Sequence, residues 1–519
     1  MSSALSIIGI VADAETRFVL LDLIRLLRQR HHSTIHLYCN SAQEVEFYTH
    51  KNKDGLFASI TNASILLRAA HETVADEAEV IATARSYEHK LGCTYNTLAV
   101  ANRHLGRGYA LGGFYHARSR HSEKTSYLQM LHAYNSVLKF WEREIVQKGL
   151  TLILNGAGEI ARIAKSNKVP YRAFFGSRYK NYHFWARSEF FENSAVRQAY
   201  DAIQSSMKDM VDITEPYLLE LAHRKRFVKN DSLARLLYKL VYTTMQHVYW
   251  RMRGYDKGKS YYLRDWLAYH IRLWTATRRM RGSETRKLAD LDGRPFVFFP
   301  LHTEPEGSMG QISPEYFYQL SAIAALSRDL PAGVLLAVKE TIHGVGRRPK
   351  NFYDQILAFK NVIMLDMMEF GLEIVKRAAA VATITGTAGF EAAVMGKPVV
   401  TFGRHNVYNF LPHVMVVTDE DRLRDYLKAI IDGKIDLKRA RVDGARFLQA
   451  IINTSFDMHG YNYVDLCSYG EGAVENAYRG LLASLDDGSD AHSDQKAHSV
   501  LAGQESLGSS LCHGVGDDK

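Results

Sequence analysis

Three short stretches hold most of the side chains able to do chemistry. In the first, Thr385-Gly386-Thr387-Ala388-Gly389, an apolar run from Val381 to Thr385 gives way to a helical pattern beginning near Phe390. Glycines in such a turn let backbone N–H groups approach an anion, and the positive end of the following helix favours a phosphate. No Lys-Ser/Thr follows, as a Walker A loop requires, and GxGxxG is absent, so ATP hydrolysis and dinucleotide binding are disfavoured. Glu391 either complements the helix dipole or accepts hydrogen bonds from a ribose. The second stretch, His302-Thr303-Glu304-Pro305-Glu306-Gly307-Ser308, follows the apolar FVFFP. Glu304 and Glu306 can serve as general base, nucleophile or sugar-hydroxyl acceptor, against the alternative of a solvated turn with a helix cap. The third, Lys339-Glu340-Thr341-Ile342-His343, leads to Arg347 and Arg348. Its cations suit a phosphate or a carboxylated sugar, and His343 can protonate or hydrogen-bond a leaving phosphate. Asp13 and Glu15 follow the first apolar run, and Asn155 and Glu159 follow a later one. Asp13 is either a catalytic base or a helix cap.

Apolar runs and helical periodicities must position these groups. Ser6 to Val11, a helical stretch Phe18 to Leu27, and Thr34 to Tyr38 predict an opening β-α-β unit. Helical periodicity without proline from about Leu56 to Lys148 predicts several inserted helices. Strands are expected again at Thr151 to Leu154 and Tyr171 to Phe175, around a short helix Glu159 to Ser166. Beyond Arg294, strands are expected at Phe296 to Phe299, Val334 to Val338, Asn361 to Leu365, Val381 to Thr385 and Val399 to Phe402, with helices such as Glu315 to Leu326 and Phe370 to Ala379 between them. Alternating strands and helices predict mostly parallel, doubly wound sheets whose ligands sit beyond the carboxyl ends of the strands. The expected organisation is an α/β chain with two Rossmann-type domains. An N-terminal acceptor domain over 1–205 and a C-terminal nucleotide-sugar domain over 291–483 flank a basic helical connector over 206–290, and a disordered tail covers 484–519.

The formal charge of +9 over 519 residues is unevenly placed. Residues 224 to 287 hold 17 Lys+Arg against 4 Asp+Glu, while the tail from Ser484 is acidic and the rest is close to neutral. A near-neutral body argues against a nucleic-acid partner. Within the basic segment, Leu233, Leu236, Leu237, Leu240, Val241, Thr244 and Val248 form one apolar stripe and Leu263, Trp266, Leu267, His270, Ile271 and Trp274 a second, so at least part of that face is expected in a core. Three readings compete for this segment: a solvated interdomain helical pair, contact with an anionic membrane surface, and, least favoured, nucleic-acid binding by phosphate pairing and base stacking. No apolar run reaches the length of a membrane span and the first residues lack a basic n-region, which predicts a cytoplasmic protein, peripheral at the inner membrane where its acceptor is lipid-linked. Four dispersed cysteines without CxxC, and the absence of HExxH, predict neither a disulfide framework nor a metal site.

Phosphate donors, a ribose-binding acid and cations on three loops of one sheet point to a nucleotide sugar. With no metal-ligand cluster on these three loops, this fits a metal-independent GT-B glycosyltransferase that needs no cofactor. The stretches FVFFPLHTEPEGS, LLAVKETIHGVGRRPKNFY and ITGTAGFEAAVMGKPVVTFG resemble the bacterial capsule polysaccharide biosynthesis family, also described as surface carbohydrate biosynthesis proteins, well over residues 291 to 415 and more loosely through NGAGEIARIAKSNKVPYRAFFGSRY. The resemblance implies a GT-B fold related to Kdo transferases using CMP-Kdo, and a glycan or lipid-linked acceptor. It carries Pro305, Glu306, Lys339 and Glu340 over directly. Glu304 stands where relatives have Gln, and His343 is displaced in a motif that elsewhere reads Lys-Glu-His-Pro. Catalysis is therefore expected from Glu306, Glu304 and Asp13, and donor binding from His302, Lys339, Glu340, His343, Thr385, Gly386, Thr387, Gly389 and Glu391. Noncatalytic polysaccharide assembly or export, and nucleotide-sugar epimerisation, are the alternative functions. Inversion and retention both stay open.

Overall fold

The computed structural model describes residues 4–13, 15–102, 125–204, 224–225, 228–229, 231–255, 262–282, 285–303, 307–349, 351–461 and 468–486. Glu304, Pro305 and Glu306 lie outside these residues, as does the tail beyond 486.

Two sheets organise the chain. The N-terminal sheet contains β1 (Ile7–Val11), β2 (Thr34–Cys39), β3 (Ser59–Asn62), β4 (Leu152–Leu154), β5 (Tyr171–Gly176) and β6 (Tyr182–Ala186). The C-terminal sheet contains β7 (Phe296–Pro300), β8 (Leu335–Lys339), β9 (Val362–Leu365), β10 (Ala380–Thr383), β11 (Val399–Thr401) and β12 (Val414–Val416); a last short strand, β13 (Phe456–Asp457), follows. The C-terminal sheet runs β12-β11-β10-β7-β8-β9 with every pairing parallel, the doubly wound order expected. The N-terminal order is β13-β6-β5-β4-β1-β2-β3, parallel except where β6 pairs with β5 and β13.

Strand β7 shows why these runs become interior strands. Phe296 and Phe298 enter one apolar cluster, Val297 and Phe299 the other, and all four are buried. A residue run that is apolar on both faces has to be covered by helices on both faces. The helix Gln319–Asp329 supplies Ala322, Ile323 and Leu326 on one side, and Leu437–Asn453 supplies Phe447, Leu448 and Ile451 on the other.

The chain crosses between the two bodies twice, so the boundaries at 205 and 483 do not coincide with where side chains pack. The helix Ala195–Ala202 joins the C-terminal core: Tyr200 donates from its hydroxyl to Asp443 Oδ1 at 2.7 Å, and Arg446 donates to the Tyr200 and Ile203 carbonyls at 3.0 and 3.1 Å. In the opposite direction, β13 adds to β6, and the helix Ala473–Asp486 covers the N-terminal sheet. There the fully buried Arg172 donates from Nε to Ser484 Oγ at 3.0 Å and from Nη2 to Ser484 O at 2.7 Å, while Trp185 Nε1 donates to Ala477 O at 2.8 Å. Helix therefore continues through residues 484 to 486, which were assigned to the tail on composition.

Two long helices, Leu233–Met252 and Leu263–Gly282, are in mutual contact. The apolar stripe of the first helix is mostly exposed, and that of the second is half-buried apart from the exposed Ile271. Of the positions named for the first helix Leu236 is buried, whereas Leu233, Leu237, Val241 and Val248 are exposed. The reason is local: polar groups face the partner helix, with Thr243 Oγ1 and His270 Nε2 2.9 Å apart and His247 buried beside them. Gly346, in the turn after β8, accepts the connector at backbone distance; its φ is +77°, and a Cβ there would lie 2.8 Å from Leu273 Cα. At the other end, Arg253 and Tyr255 both reach the Glu46 carboxylate of the N-terminal body.

Candidate active site

The order of the C-terminal sheet reverses between β7 and β10, and the loops leaving those strands meet at that point. His302 joins them. Its Nε2 accepts from the Thr385 backbone N–H at 3.2 Å and lies 3.1 Å from Thr383 Oγ1, which itself accepts from Gly386 N at 2.9 Å. An acceptor at Nε2 places the imidazole proton on Nδ1, which has no hydrogen-bond partner among the described residues. Burial, helped by the positive charges of Arg348 and Arg178, lowers the pKa of His302 to about 3, so the ring is neutral. The buried side chain of Gln319 holds the same loop, accepting from His302 N at 2.8 Å and donating to His302 O at 3.0 Å. His302 is thus anchored from both sides of its backbone.

The helix after β10 is Thr387–Val394, three residues earlier than its apolar pattern indicates. Small residues at 387 to 389 allow the earlier start: a Cβ at Gly389 would fall 2.5 Å from the Tyr408 hydroxyl and 2.6 Å from Thr383 Cγ2. Thr387 is exposed at the helix start, Thr385 and Gly389 are buried, and Gly386 lies between them. Glu391 is buried one turn further in than expected.

A cation missed in the sequence reaches this loop from the other body. Arg178, after β5, donates from Nη1 to Thr385 O at 2.7 Å. Its φ of 67° is a conformation a non-glycine residue seldom adopts, which marks the position as held by its surroundings. A basic residue beside a Gly-containing turn 207 positions away has no local sequence signal.

The third stretch is engaged differently from expectation. Arg348 grips Glu340 with two bonds, Nε to Oε2 at 2.8 Å and Nη2 to Oε1 at 2.7 Å; the Tyr353 hydroxyl adds 2.6 Å to Oε2 and Thr341 N adds 2.7 Å to Oε1. Both charged side chains are almost wholly buried. Glu340 therefore shapes the loop after β8, and Arg348 neutralises it. Arg347 is turned to the connector, with Nη2 3.2 Å from the Tyr269 hydroxyl. Lys339 ends β8 in register with Pro300 of β7, at the same edge as His302, and His343 is exposed in the turn beyond.

On the N-terminal side the sheet reverses between β1 and β4. Asp13 accepts from Glu15 N at 3.1 Å and Thr16 Oγ1 at 3.4 Å, so its carboxylate closes the turn into the helix Arg17–His31. Asn155, at φ 62°, accepts from Phe174 N at 2.9 Å. Glu159 opens the helix Gly158–Ser166, and burial pushes its carboxyl above the ordinary carboxylate range. Gly158 beside it borders the C-terminal body, where a Cβ would come within 3.0 Å of Gln311 Nε2. From the N-terminal body, Arg178 thus meets the Thr385 turn, and the start of the helix carrying Glu159 borders Gln311 of the C-terminal body.

Two doubly wound α/β bodies meeting over the carboxyl ends of their strands define a GT-B-like protein. Residues 227–443 match the sequence model of the capsule polysaccharide biosynthesis proteins. Among solved structures, similarity extends to Thermosulfurimonas dismutans KpsC, beta Kdo 2,7 transferase, at 12% identity over 67% of this chain and 89% of that one, with a TM-score of 0.30. The beta Kdo 2,4 transferase of the same KpsC gives 12% identity over 57% and 80%, TM-score 0.27. UDP-GlcNAc 2-epimerase from Neisseria meningitidis gives 9% identity over 92% and 100%, TM-score 0.29. No curated protein matches the sequence.

Proposed function

We propose that this chain is a glycosyltransferase of surface polysaccharide synthesis, moving a sugar from a nucleotide-sugar donor, of the CMP-Kdo type in the finest reading, to a glycan or lipid-linked acceptor. One observation carries the reading: the crevice between β7 and β10 is formed by the family-matched segment and faces Arg178 from the opposite body. In this reading the donor phosphate lies against the start of helix Thr387–Val394 and the Arg178 guanidinium, whose charge stabilises the departing nucleotide without a metal. Lys339 adds positive charge at the same strand edge. Glu391 is assigned to the ribose. Glu159, protonated more readily than an ordinary carboxyl, is the group suited to take the acceptor hydroxyl proton, with Glu304 and Glu306 as the other candidate carboxylates.

A thermal-shift and calorimetry panel of CMP, UDP, GDP and dTDP tests the reading. One nucleotide should stabilise the protein, and Arg178→Gln should weaken its binding at least about ten-fold, as loss of a charged hydrogen bond predicts. EDTA should leave that binding unchanged. Stabilisation by none of the four would refute the donor site.

A further inference from the structure

The helix Leu233–Met252 has its polarity reversed for a soluble protein. Thr243 and His247 point inward, while its outer arc is apolar and aromatic: Met245 is 70% exposed, Met252 82%, Tyr238 66% and Val241 60%, with Leu237 and Tyr242 beside them. Spacings of four residues from Leu237 through Val241 to Met245 put these side chains on one ridge, with Tyr238 and Tyr242 on the next. The helix contains no acid along its 20 residues. Its companion Leu263–Gly282 has exposed Arg264, Arg272, Arg278 and Arg279, and its one acid, Asp265, is buried. Neither helix is long and apolar enough to cross a membrane.

We propose that this helical pair docks on an anionic lipid bilayer surface, lying in the interface with the apolar arc of Leu233–Met252 among the acyl-chain ends and the arginines of Leu263–Gly282 on lipid phosphates. An apolar arc without charge favours shallow insertion, tyrosines suit the headgroup level, and arginine pairs well with phosphate. The excess of 17 basic over 4 acidic residues in 224–287 is complementary to a negative surface and opposes burial against a second copy of the same segment.

The test is flotation of the full chain with vesicles of phosphatidylcholine alone or with about one third phosphatidylglycerol. Binding is expected on the anionic vesicles and should fall as salt rises. Val241→Ser with Met245→Ser should weaken it at least about ten-fold, and Arg272→Gln with Arg279→Gln about 25-fold at low salt, at roughly five-fold per arginine. These side chains are exposed, so both pairs should unfold at the wild-type temperature, which separates lost docking from lost folding. No flotation on anionic vesicles overturns the proposal. So does a dimer in sedimentation velocity that Val241→Ser with Met245→Ser dissociates, because that assigns the face to a second copy. The readout is lipid binding, so its failure leaves the transferase reading untouched.

Discussion

Replacing Arg348 by Met probes the loop after β8 most directly. Arg348 and Glu340 share two bonds at 2.7 and 2.8 Å, with 4% and 0% of their side chains exposed, and Tyr353 and Thr341 complete the shell of the carboxylate. Removing one partner of a buried pair leaves the other charge without compensation and costs about 3–5 kcal/mol, far more than a surface pair at about 0–1 kcal/mol. For a body of this size each kcal/mol moves Tm by about 2–4 °C, so Arg348→Met should lower the transition by roughly 6–20 °C. The double variant Glu340→Leu with Arg348→Met removes both charges and should be more stable than Arg348→Met, since apolar replacement of a whole buried pair is often neutral. Calorimetric scans of wild type, both single variants and the double variant close the cycle. A loss below about 1 kcal/mol for Arg348→Met, or strictly additive effects, would show that the carboxylate stays solvated and that the pair does not shape the loop.

Acid should weaken the protein partly through His302, whose pKa is lowered to about 3 while an unfolded histidine titrates near 6.5. Between those values the unfolded chain binds the extra proton, so this contribution is intact above about pH 6.5 and declines as pH falls toward 3, at up to about 1.4 kcal/mol per unit. Urea unfolding at several pH values should give His302→Gln a shallower acid slope than wild type; equal slopes would contradict the neutral buried ring. Gly346→Ala, at φ +77° and against Leu273 Cα, should cost about 1–3 kcal/mol and quicken tryptic cleavage within 263–282. Glu159→Gln should reduce transfer about 10²–10⁴-fold with nucleotide affinity retained, a split that a merely structural carboxyl would not give. Arg172→Leu should detach the helix Ala473–Asp486, seen as faster hydrogen exchange at Ala477 and Leu481.

Strands that are apolar on both faces were legible because their composition leaves them no other place. All nine strands expected from apolar runs occur, from β1 to β11. Four strands went unread: β3 is Ser-Ile-Thr-Asn at an edge, β6 mixes Tyr and His into its apolar run and pairs antiparallel with β5, β12 has three residues, and β13 has two and exists through its pairing with β6. The site was read by loop, and His302, Thr385 and Gly386 are indeed brought together at the switch between β7 and β10. Arg178 was missed because its partner lies 207 residues away, and Gln319 because its partner is a backbone 17 residues earlier that no pattern marks; the pairing of Glu340 with Arg348 was not legible because composition cannot distinguish cations aimed at a ligand from cations paired with a neighbour. The connector shows the same limit. Periodicity identified a common face, but it carries no information about whether that face meets protein or solvent.

The return of the chain to its first body has a consequence during synthesis. Arg172 waits for Ser484, 312 residues later, and Trp185 for Ala477, 292 residues later. At about 5–20 residues per second the nascent N-terminal sheet spends roughly 15–60 s with the β6 edge open and a guanidinium uncapped. Throughout that interval the C-terminal sheet is emerging beside it. The two bodies therefore mature in the reverse of their order in the gene, and a ribosome stalled before residue 456 would hold a first domain that nothing yet finishes.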